Sequence, residues 1–407
     1  MTLVYKRPFS ADESNPGADE LSSNTPVMHA LILGIGRFSK LDPARDANRQ
    51  ACADSARAMI SFLIQQDLAN TLEVPLASVE CLISDPSTTA GSADQLAQTH
   101  PVRDPRFDTN VESAVIANVN QSISDWLTRC RAENTTVPRE GDHLVLYICS
   151  HGVAGRDEGA LAVLEDVDPG GLNPWSELLN VGSMARHIPA KCGAGAVWIF
   201  MDACQEVLDE IADQVDGNNA MKPVKANVRQ LTACKVTSLA LIGSTFGDFA
   251  YAPRGGGVAY FTEALMQGLS QSCVEFLRDE WRSTAKQIPG GVIAIAKCVN
   301  GRILHTEAIK FPTGDSCFMK VANPHIPIGV VSSPTGLLLN ATTTTIQSQG
   351  QIVQSRPVVD SGEVWHTQLP IGFDNLDLVI QSVSPRSPFM ASFRALPPAQ
   401  WVEIKDE

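Results

Sequence analysis

The chain has 407 residues, with 31 lysines and arginines against 45 aspartates and glutamates, so its formal net charge is −14. Hydrophobic residues make up 44% and charged residues 19%, which is typical of a globular chain and not of a disordered one. The acidic balance argues against nucleic acid as the main partner, because phosphate binding needs clustered lysine and arginine. No apolar run reaches the roughly 18 residues that span a membrane, and the N-terminal stretch lacks the apolar core of a signal peptide.

The ten cysteines contain no CxxC pair, and several lie inside apolar runs where buried free thiols are common. In a chain of this size that usage is typical of a reducing cytoplasm and not of a disulfide framework. The cysteine and histidine spacing also indicates no zinc site. We therefore expect a cytoplasmic protein with free thiols.

The predicted elements begin after a polar stretch, residues 1–27, which we expect to be a poorly ordered leader. An apolar strand over 29–36 and an amphipathic helix over about 46–66 follow. A strand is predicted at 79–84 and a helix at 111–132. The first half of the chain therefore alternates strands with helices.

The same alternation continues, and two of the later apolar runs end abruptly in polar residues. Strands are predicted at 144–150, 196–204 and 236–245. Helices are predicted at 175–188 and 273–286, and the segment 255–269 is predicted as a glycine loop that opens into a helix.

Strands that alternate with helices predict βαβ crossovers, and so an α/β fold of three layers with a mostly parallel sheet. Beyond about residue 320, short β-branched runs and turns replace the helices and predict a small all-β, sandwich-like antiparallel domain. We expect a leader at 1–27, an α/β domain at 28–319 and a β-rich domain at 320–407.

Two of the predicted strands deliver residues that are suited to nucleophilic catalysis. His151 follows the strand at 144–150, and Cys204 ends the strand 53 residues later in the chain. Ligands collect at the carboxyl ends of parallel strands, and neighbouring strands lie about 5 Å apart. A histidine beside a thiol can take its proton and activate it. A lone cysteine at a strand end is usually a buried hydrophobe, but the pair favours a catalytic dyad.

Both strand ends resemble a known family. The segments YICSHG (147–152) and VWIFMDACQ (197–205) are similar to the two catalytic strands of the caspase/metacaspase cysteine peptidases. Further stretches resemble neighbouring elements of metacaspases and their bacterial relatives: 29–41, 49–63, 239–253 and 255–269. The resemblance spans about residues 28 to 300 and implies a caspase-like fold of bacterial type and a cysteine endopeptidase acting on proteins. The caspase QAC[RQG]G signature is absent, and Gln205-Glu206-Val207 replaces the usual metacaspase His-Ser-Gly continuation.

The resemblance also implies roles for the residues at the two strand ends. The thiolate of Cys204 would attack the scissile carbonyl, and His151 would protonate the leaving amine. The backbone N–H groups of Gly152 and Cys204 would hold the oxyanion. A side chain at position 152 would crowd the substrate carbonyl, although a simple turn glycine is an equal alternative.

Asp202, two residues before Cys204, bears on which substrate side chain precedes the cut. Metacaspases bind arginine or lysine before the cut with acidic groups, one of them at the position of Asp202, so the resemblance implies cleavage after Arg or Lys. Asp202 could instead only cap amides of its own loop. Cys52, Ser55 and Cys149 match other pocket positions and make the pocket less acidic than usual. Arg37 we interpret as a solvated loop residue.

An acidic cluster is the one candidate for a metal ion. Glu165, Asp166 and Asp168 offer oxygen ligands that suit Ca²⁺, which metacaspases often need. An exposed acidic turn is the interpretation that we favour. We therefore expect no obligatory cofactor.

The segment after the cysteine is a candidate for maturation cleavage, as expected of a zymogen. It is polar and turn-forming from 206 to 235, the region where the family is usually cut. Its basic residues match the preference proposed for the enzyme, although a surface loop that is never cut is an equal alternative. These residues are Lys222, Lys225, Arg229 and Lys235.

Two other functions remain open from the sequence. A catalytically silent caspase-like scaffold is the main alternative, and a hydrolase of small amides with the same dyad is another. The β-rich domain at 320–407 would bind a partner or substrate, or support the core. Bacterial members of the family often act in stress or anti-phage responses, so such a role is implied as well.

Overall fold

A computed structural model describes residues 3–7, 21, 25–40, 49–87, 94–95, 110–129, 141–155, 159–168, 171, 178–192, 194–204, 237–244, 252–253, 256–300, 304, 306–310, 316–333, 338, 341–356, 364–371, 376–382 and 389–405. The chain forms two compact units. Unit 1 comprises Met1–Thr262 and His305–Ser316, and unit 2 comprises Glu263–Leu304 and Cys317–Glu407. This division differs from the predicted boundary between 319 and 320, because residues 263–304 belong to unit 2.

The elements, in chain order, have the following bounds. The helices are α1 (Gln50–Leu68), α2 (Ile116–Arg129), α3 (Val181–His187), α4 (Pro189–Cys192), α5 (Tyr260–Gln267), which continues as a π-helical turn (Gly268–Ser272), and α6 (Ile288–Asn300). The strands are β1 (Leu3–Lys6), β2 (Met28–Ile35), β3 (Leu76–Ser84), β4 (Asp94–Gln95), β5 (Asn110–Val111), β6 (His143–Cys149), β7 (Gly152–Gly155), β8 (Gly159–Val163), β9 (Leu178–Asn180), β10 (Ala196–Asp202), β11 (Thr237–Ile242), β12 (Val274–Leu277), β13 (Glu280–Thr284), β14 (Glu307–Lys310), β15 (Cys317–Lys320), β16 (His325–Ser333), β17 (Ala341–Ser348), β18 (Gln351–Ser355), β19 (Val364–Pro370), β20 (Leu376–Ser382), β21 (Phe389–Phe393) and β22 (Gln400–Lys405).

Unit 1 is built on a seven-stranded sheet in the order β1-β3-β2-β6-β10-β11-β14. The five central strands run parallel, and β1 and β14 add antiparallel edges. The central strands are near-continuous apolar runs because a parallel sheet is covered on both faces. The predicted strands at 29–36, 79–84, 144–150, 196–204 and 236–245 are these five.

Helices cover both faces of the sheet. On one face Leu31 and Leu33 of β2 pack with Trp126 of α2 and Met184 of α3. On the other face β2 meets α1 so closely that a Cβ on Gly34 would lie 2.5 Å from the Cβ of Ala56. The predicted α/β architecture of three layers with a mostly parallel sheet is therefore confirmed.

The predicted N-terminal leader is wrong for its first described residues. Leu3–Lys6 form the edge strand β1, which pairs antiparallel with β3. Tyr5 is buried and donates a hydrogen bond of 2.8 Å to Asp67 Oδ2. Val4 and Tyr5 are adjacent and both buried, so this short strand shows no alternation of apolar and polar residues, and the flanking polar composition gave no strand signal either. Positions 8–20 and 22–24 lie outside the described residues.

The helix predicted at 273–286 is also wrong. The segment is a hairpin in which β12 pairs antiparallel with β13. Arg278 and Asp279 form its two-residue turn with φ values of 52° and 64°, the left-handed conformation that such turns require. The rings of Phe276 and Trp281 lie 5.2 Å apart across the pair. The apolar residues fit a period of two as well as they fit a helix, and pairing across the turn decided between them.

The helix predicted at 175–188 is shorter than expected. Leu178–Asn180 pair with β8 as a strand, and α3 begins at Val181. The Asn180 side chain accepts a hydrogen bond of 2.7 Å from the N–H of Ser183 and so caps the helix. Positions 172–177 lie outside the described residues.

Unit 2 contains a two-sheet β-sandwich, as predicted for the C-terminal region. One sheet has the order β19-β16-β22 and the other β18-β17-β20-β21, and their facing side chains form one apolar core. The sandwich is not purely antiparallel, because β16 and β22 run parallel. Within the same unit, α6 packs on β16 and β22.

Helix length and hydropathy bear on membrane crossing. Within the described part of the chain, none of the helices is both long and apolar enough to span a bilayer.

Candidate active site

The two strands that precede His151 and Cys204 are direct neighbours in the sheet of unit 1. β10 pairs parallel with β6, and the register sets Asp202 opposite Cys149. His151 and Cys204 each follow that paired position by two residues. The sheet therefore delivers an imidazole and a thiol to the same carboxyl edge, where ligands bind in open α/β sheets.

Gly152 shows how closely the two chain segments approach beyond the strands. A Cβ built on Gly152 would lie 2.0 Å from the carbonyl oxygen of Cys204 and 3.0 Å from the Cβ of Ala203. Real Cβ atoms essentially never approach another atom this closely. The described glycines with positive φ do not include Gly152, so close contact and not an unusual backbone conformation requires a glycine here.

Backbone and ring contacts hold His151 in place. The N–H of Ser150 donates to the carbonyl of Asp202 at 3.2 Å, and the N–H of Val163 donates to the carbonyl of His151 at 2.9 Å. The Ser150 hydroxyl in turn donates to the Val163 carbonyl at 2.6 Å. The Phe38 ring lies against the imidazole, with centroids 4.8 Å apart. The small sheet β7-β8-β9 therefore fixes the backbone of His151, and Phe38 limits the positions of its ring.

Cys204 is held from the other side by the strand that follows it. The Ser244 hydroxyl, just beyond β11, donates a hydrogen bond of 2.7 Å to the carbonyl of Ala203. Asp202 and Ala203 are buried, whereas Cys204 and His151 are both partly exposed. A thiol and an imidazole that a substrate can reach, on a rigid scaffold, can perform nucleophilic attack and proton transfer.

The loop that carries Phe38 is anchored by a buried ion pair. Arg37 donates to Glu165 Oε1 from Nε and Nη2, each at 2.8 Å, and from Nη1 to the carbonyl of Asp85 at 3.0 Å. Ser84 donates to Glu165 Oε2 at 2.5 Å. The interpretation of Arg37 as a solvated loop residue is therefore wrong, because a carboxylate distant in sequence binds its guanidinium in the interior.

Asp202 is buried below the same edge and binds α5. Its Oδ2 accepts hydrogen bonds from the N–H of Thr262 at 3.2 Å and from the Thr262 hydroxyl at 2.6 Å. Burial raises the pKa of Asp202 to about 6, and the two hydrogen bonds from Thr262 oppose that rise. The partner thus comes from another element and not from the loop of Asp202 itself, the alternative left open by the sequence.

The other predicted pocket residues lie on the same face of the sheet, and all are buried. Cys149 has its pKa raised well above the usual thiol value by its hydrogen bond with Cys52 and by burial, and the charge of Asp202 adds to the rise. Asp202, Cys149 and Cys52 therefore form one buried group. Ser55 is used differently, since its hydroxyl accepts a hydrogen bond of 2.9 Å from the N–H of Ala259.

The acidic residues proposed for calcium have separate partners. Glu165 is 4% exposed and binds Arg37, so the interpretation as an exposed acidic turn is wrong for this residue. Asp166 accepts from the N–H of Ile116 at the start of α2, and Asp168 pairs with Lys40 at 3.3 Å on the surface. Across the part of the chain that is described, three or more metal-binding side chains do not come together. Calcium binding stays a prediction.

The proposed maturation segment stays a prediction. All four of its basic residues fall within positions 205–236, which lie outside the described residues.

Several residues of the site were missed from the sequence. Thr262, Tyr147, Phe38 and Ser244 act through contacts with residues far away in the chain. A weak signal existed for Thr262, which is a polar residue in the otherwise apolar start of a predicted helix. The other three sit in strands or loops where a sequence pattern marks burial but not a partner.

Part of the chain is similar to known proteins. No protein-family model matches the chain. A segment of 186 residues is 28% identical to the uncharacterized protein y4kE of Sinorhizobium fredii and covers 45% of this chain and 50% of that protein. The chain thus spans about half the length of the curated relative that it matches. Among solved structures, caspase-1 from Spodoptera frugiperda has a TM-score of 0.32 and 15% identity, over 60% of this chain and 69% of that one.

Proposed function

We propose that the protein is a cysteine endopeptidase of the caspase/metacaspase type. The observation that carries the proposal is the pairing of β6 with β10, because this register brings the ends of both strands, with His151 and Cys204, to one edge of the sheet. The tight contact between Gly152 and the Cys204 carbonyl supports it. The sequence resemblance of both strand ends to that family points the same way.

The chemistry follows from these groups. The Cys204 thiol gives its proton to His151, and the thiolate attacks the scissile carbonyl to form a tetrahedral oxyanion. The backbone N–H groups of Gly152 and Cys204 donate hydrogen bonds to that oxyanion, each worth about 3 kcal/mol in comparable sites. His151 then returns its proton to the leaving amine, and water hydrolyses the thioester.

We further propose that the enzyme cleaves after arginine or lysine. Asp202 supports this preference, since a buried carboxylate beside the dyad is suited to a guanidinium or an ammonium group. The hydrogen bond with Cys52 and burial raise the pKa of Cys149, and Ser55 stands at a position that is acidic in metacaspases, so the pocket would be less acidic than usual for that family. The natural substrate is a protein, and unit 2 would bind a partner or substrate.

The proposal is tested with fluorogenic peptides and matched variants. We expect wild-type protein to cut peptides with Arg or Lys before the scissile bond, and not those with Asp. Cys204→Ala and His151→Ala should each lower kcat/KM by about 10²-fold or more, because the nucleophile or the proton carrier is lost. Cys192→Ala is the matched control, since Cys192 is a buried cysteine of α4, which precedes the start of β10 and not its carboxyl end.

Two results would contradict the assignment. Cleavage that survives in Cys204→Ala at more than about a hundredth of the wild-type rate excludes this dyad. A folded wild-type protein that neither cuts any peptide nor reacts with an electrophilic arginine probe favours the catalytically silent scaffold.

A further inference from the structure

We propose that Thr262 is the positioning residue that sets the preference for a basic side chain before the cut. It binds one oxygen of the Asp202 carboxylate and leaves the other for the substrate. This inference rests on the proposed peptidase function and adds a specificity-determining residue to it.

The first step is the division of the two carboxylate oxygens. Both hydrogen bonds from Thr262 reach Oδ2, at 3.2 Å from the backbone N–H and 2.6 Å from the hydroxyl. Among the described residues, none donates to Oδ1. The start of α5 therefore fixes the rotation of the carboxylate, and a single oxygen stays free to accept from a guanidinium or ammonium group.

The second step is the direction of the protons. The hydroxyl of Thr262 has one hydrogen, which it gives to Asp202. The contact of 2.5 Å between Tyr147 Oη and Thr262 Oγ1 must then use the hydrogen of Tyr147. The hydroxyl of Tyr147 thus donates to Thr262, and the hydroxyl of Thr262 donates to Asp202. Hydrogen bonds that run in this direction stabilise a carboxylate over a carboxylic acid.

The third step is the surroundings of the carboxylate. Thr262 and Tyr147 are fully buried, so the hydrogen bonds form in a medium of low polarity where they are strong. Among the described residues, the titratable groups that face Asp202 are Tyr147 and Cys149 of β6, with Cys52 of α1 behind Cys149. Burial raises the pKa of Tyr147, and hydrogen bonding and burial raise that of Cys149, so both stay neutral near pH 7. No cation among the described residues takes the place of the substrate.

The experiment compares two peptides that differ only in charge before the cut, one with arginine and one with its neutral isostere citrulline. In wild type we expect the arginine peptide to be favoured. Thr262→Val keeps the backbone N–H but removes the hydroxyl, and should lower the ratio of kcat/KM values about tenfold or more, since a hydrogen bond to a charged group is lost. Thr262→Ser should restore the wild-type ratio.

The pH profile provides a readout that a purely structural role would not change. The hydroxyl lowers the pKa of Asp202, so its removal raises that pKa, and the carboxylate forms only at higher pH. In Thr262→Val, the acid limb of the profile of kcat/KM against pH should move to higher pH for the arginine peptide. The acid limb for the citrulline peptide should not move. Thr128→Val, the same change on the exposed face of α2, should leave both limbs in place.

The outcomes separate the two proposals. An unchanged ratio in a folded Thr262→Val, or an equal loss on both peptides, overturns the role of Thr262 and leaves the peptidase intact. A wild type that cuts neither peptide overturns the peptidase itself. If Thr262→Val does not fold, the double variant Tyr147→Phe/Thr262→Val removes both partners of the buried contact and must show the same fall in ratio.

Discussion

Replacing Gly152 by alanine tests the contact that brings the two strand ends together. The added Cβ would lie 2.0 Å from the carbonyl oxygen of Cys204, against at least 3.4 Å in an ordinary contact. The backbone after β6 or after β10 must therefore move by about 1.4 Å. Neither segment yields easily, because Ser150 and Val163 hold the first, and Ser244 holds the second.

Two magnitudes follow from that displacement. Overpacking of this kind costs about 1 to 3 kcal/mol of unfolding free energy. A misplacement of about 1 Å in a catalytic group lowers the rate roughly 10²-fold. We expect Gly152→Ala to fold with a lower Tm and to cleave the arginine peptide about a hundredfold more slowly.

The measurements are a urea melt and kcat/KM on the same preparation. Gly290→Ala is the control, because a Cβ there has nothing within 4 Å, and both its stability and its activity should stay at or above wild type. Wild-type stability and cleavage in Gly152→Ala would refute the reasoning, since the two segments would then not be in contact as described.

Three further predictions concern stability and processing. Glu165→Gln removes the negative charge that binds the buried Arg37 guanidinium and should lower the free energy of unfolding by about 3 to 5 kcal/mol in a urea melt. Asp168→Asn, in an exposed ion pair, should lower it by less than about 1 kcal/mol. Equal losses would contradict this expectation. Burial lowers the pKa of His143 to about 4, so between about pH 4 and 6.5 the unfolded chain binds a proton that the folded chain does not, and the free energy of unfolding should fall as the pH drops through that window. His143→Gln should flatten the slope of unfolding free energy against pH. An unchanged slope would exclude the histidine as its source. Incubated wild-type protein should convert to two fragments, while Cys204→Ala should stay whole. A variant with glutamine at all four basic positions of the segment 206–235 should stay whole as well. A cut outside that segment would contradict its assignment as the maturation site. Those positions are Lys222, Lys225, Arg229 and Lys235.

The sequence alone determined the central strands of the fold. A strand buried on both faces reads as a continuous apolar run, and the five such runs became β2, β3, β6, β10 and β11. The polar residues at the ends of two runs marked His151 and Cys204 as candidates. These features are local, because a strand's burial on both faces appears in its own composition.

Tertiary structure decided the features that depend on a distant partner. The segment at 273–286 fits two periods, and only pairing across Arg278 and Asp279 makes it a hairpin. The sequence predicts that Arg37 is a solvated loop residue, because the carboxylate of Glu165 that binds its guanidinium lies 128 positions away in the chain. The two hydrogen bonds from Thr262 to Asp202 span 60 positions. Charge pairing and hydrogen bonding over such separations leave no periodic trace, because the sheet order and not the local pattern brings the partners together.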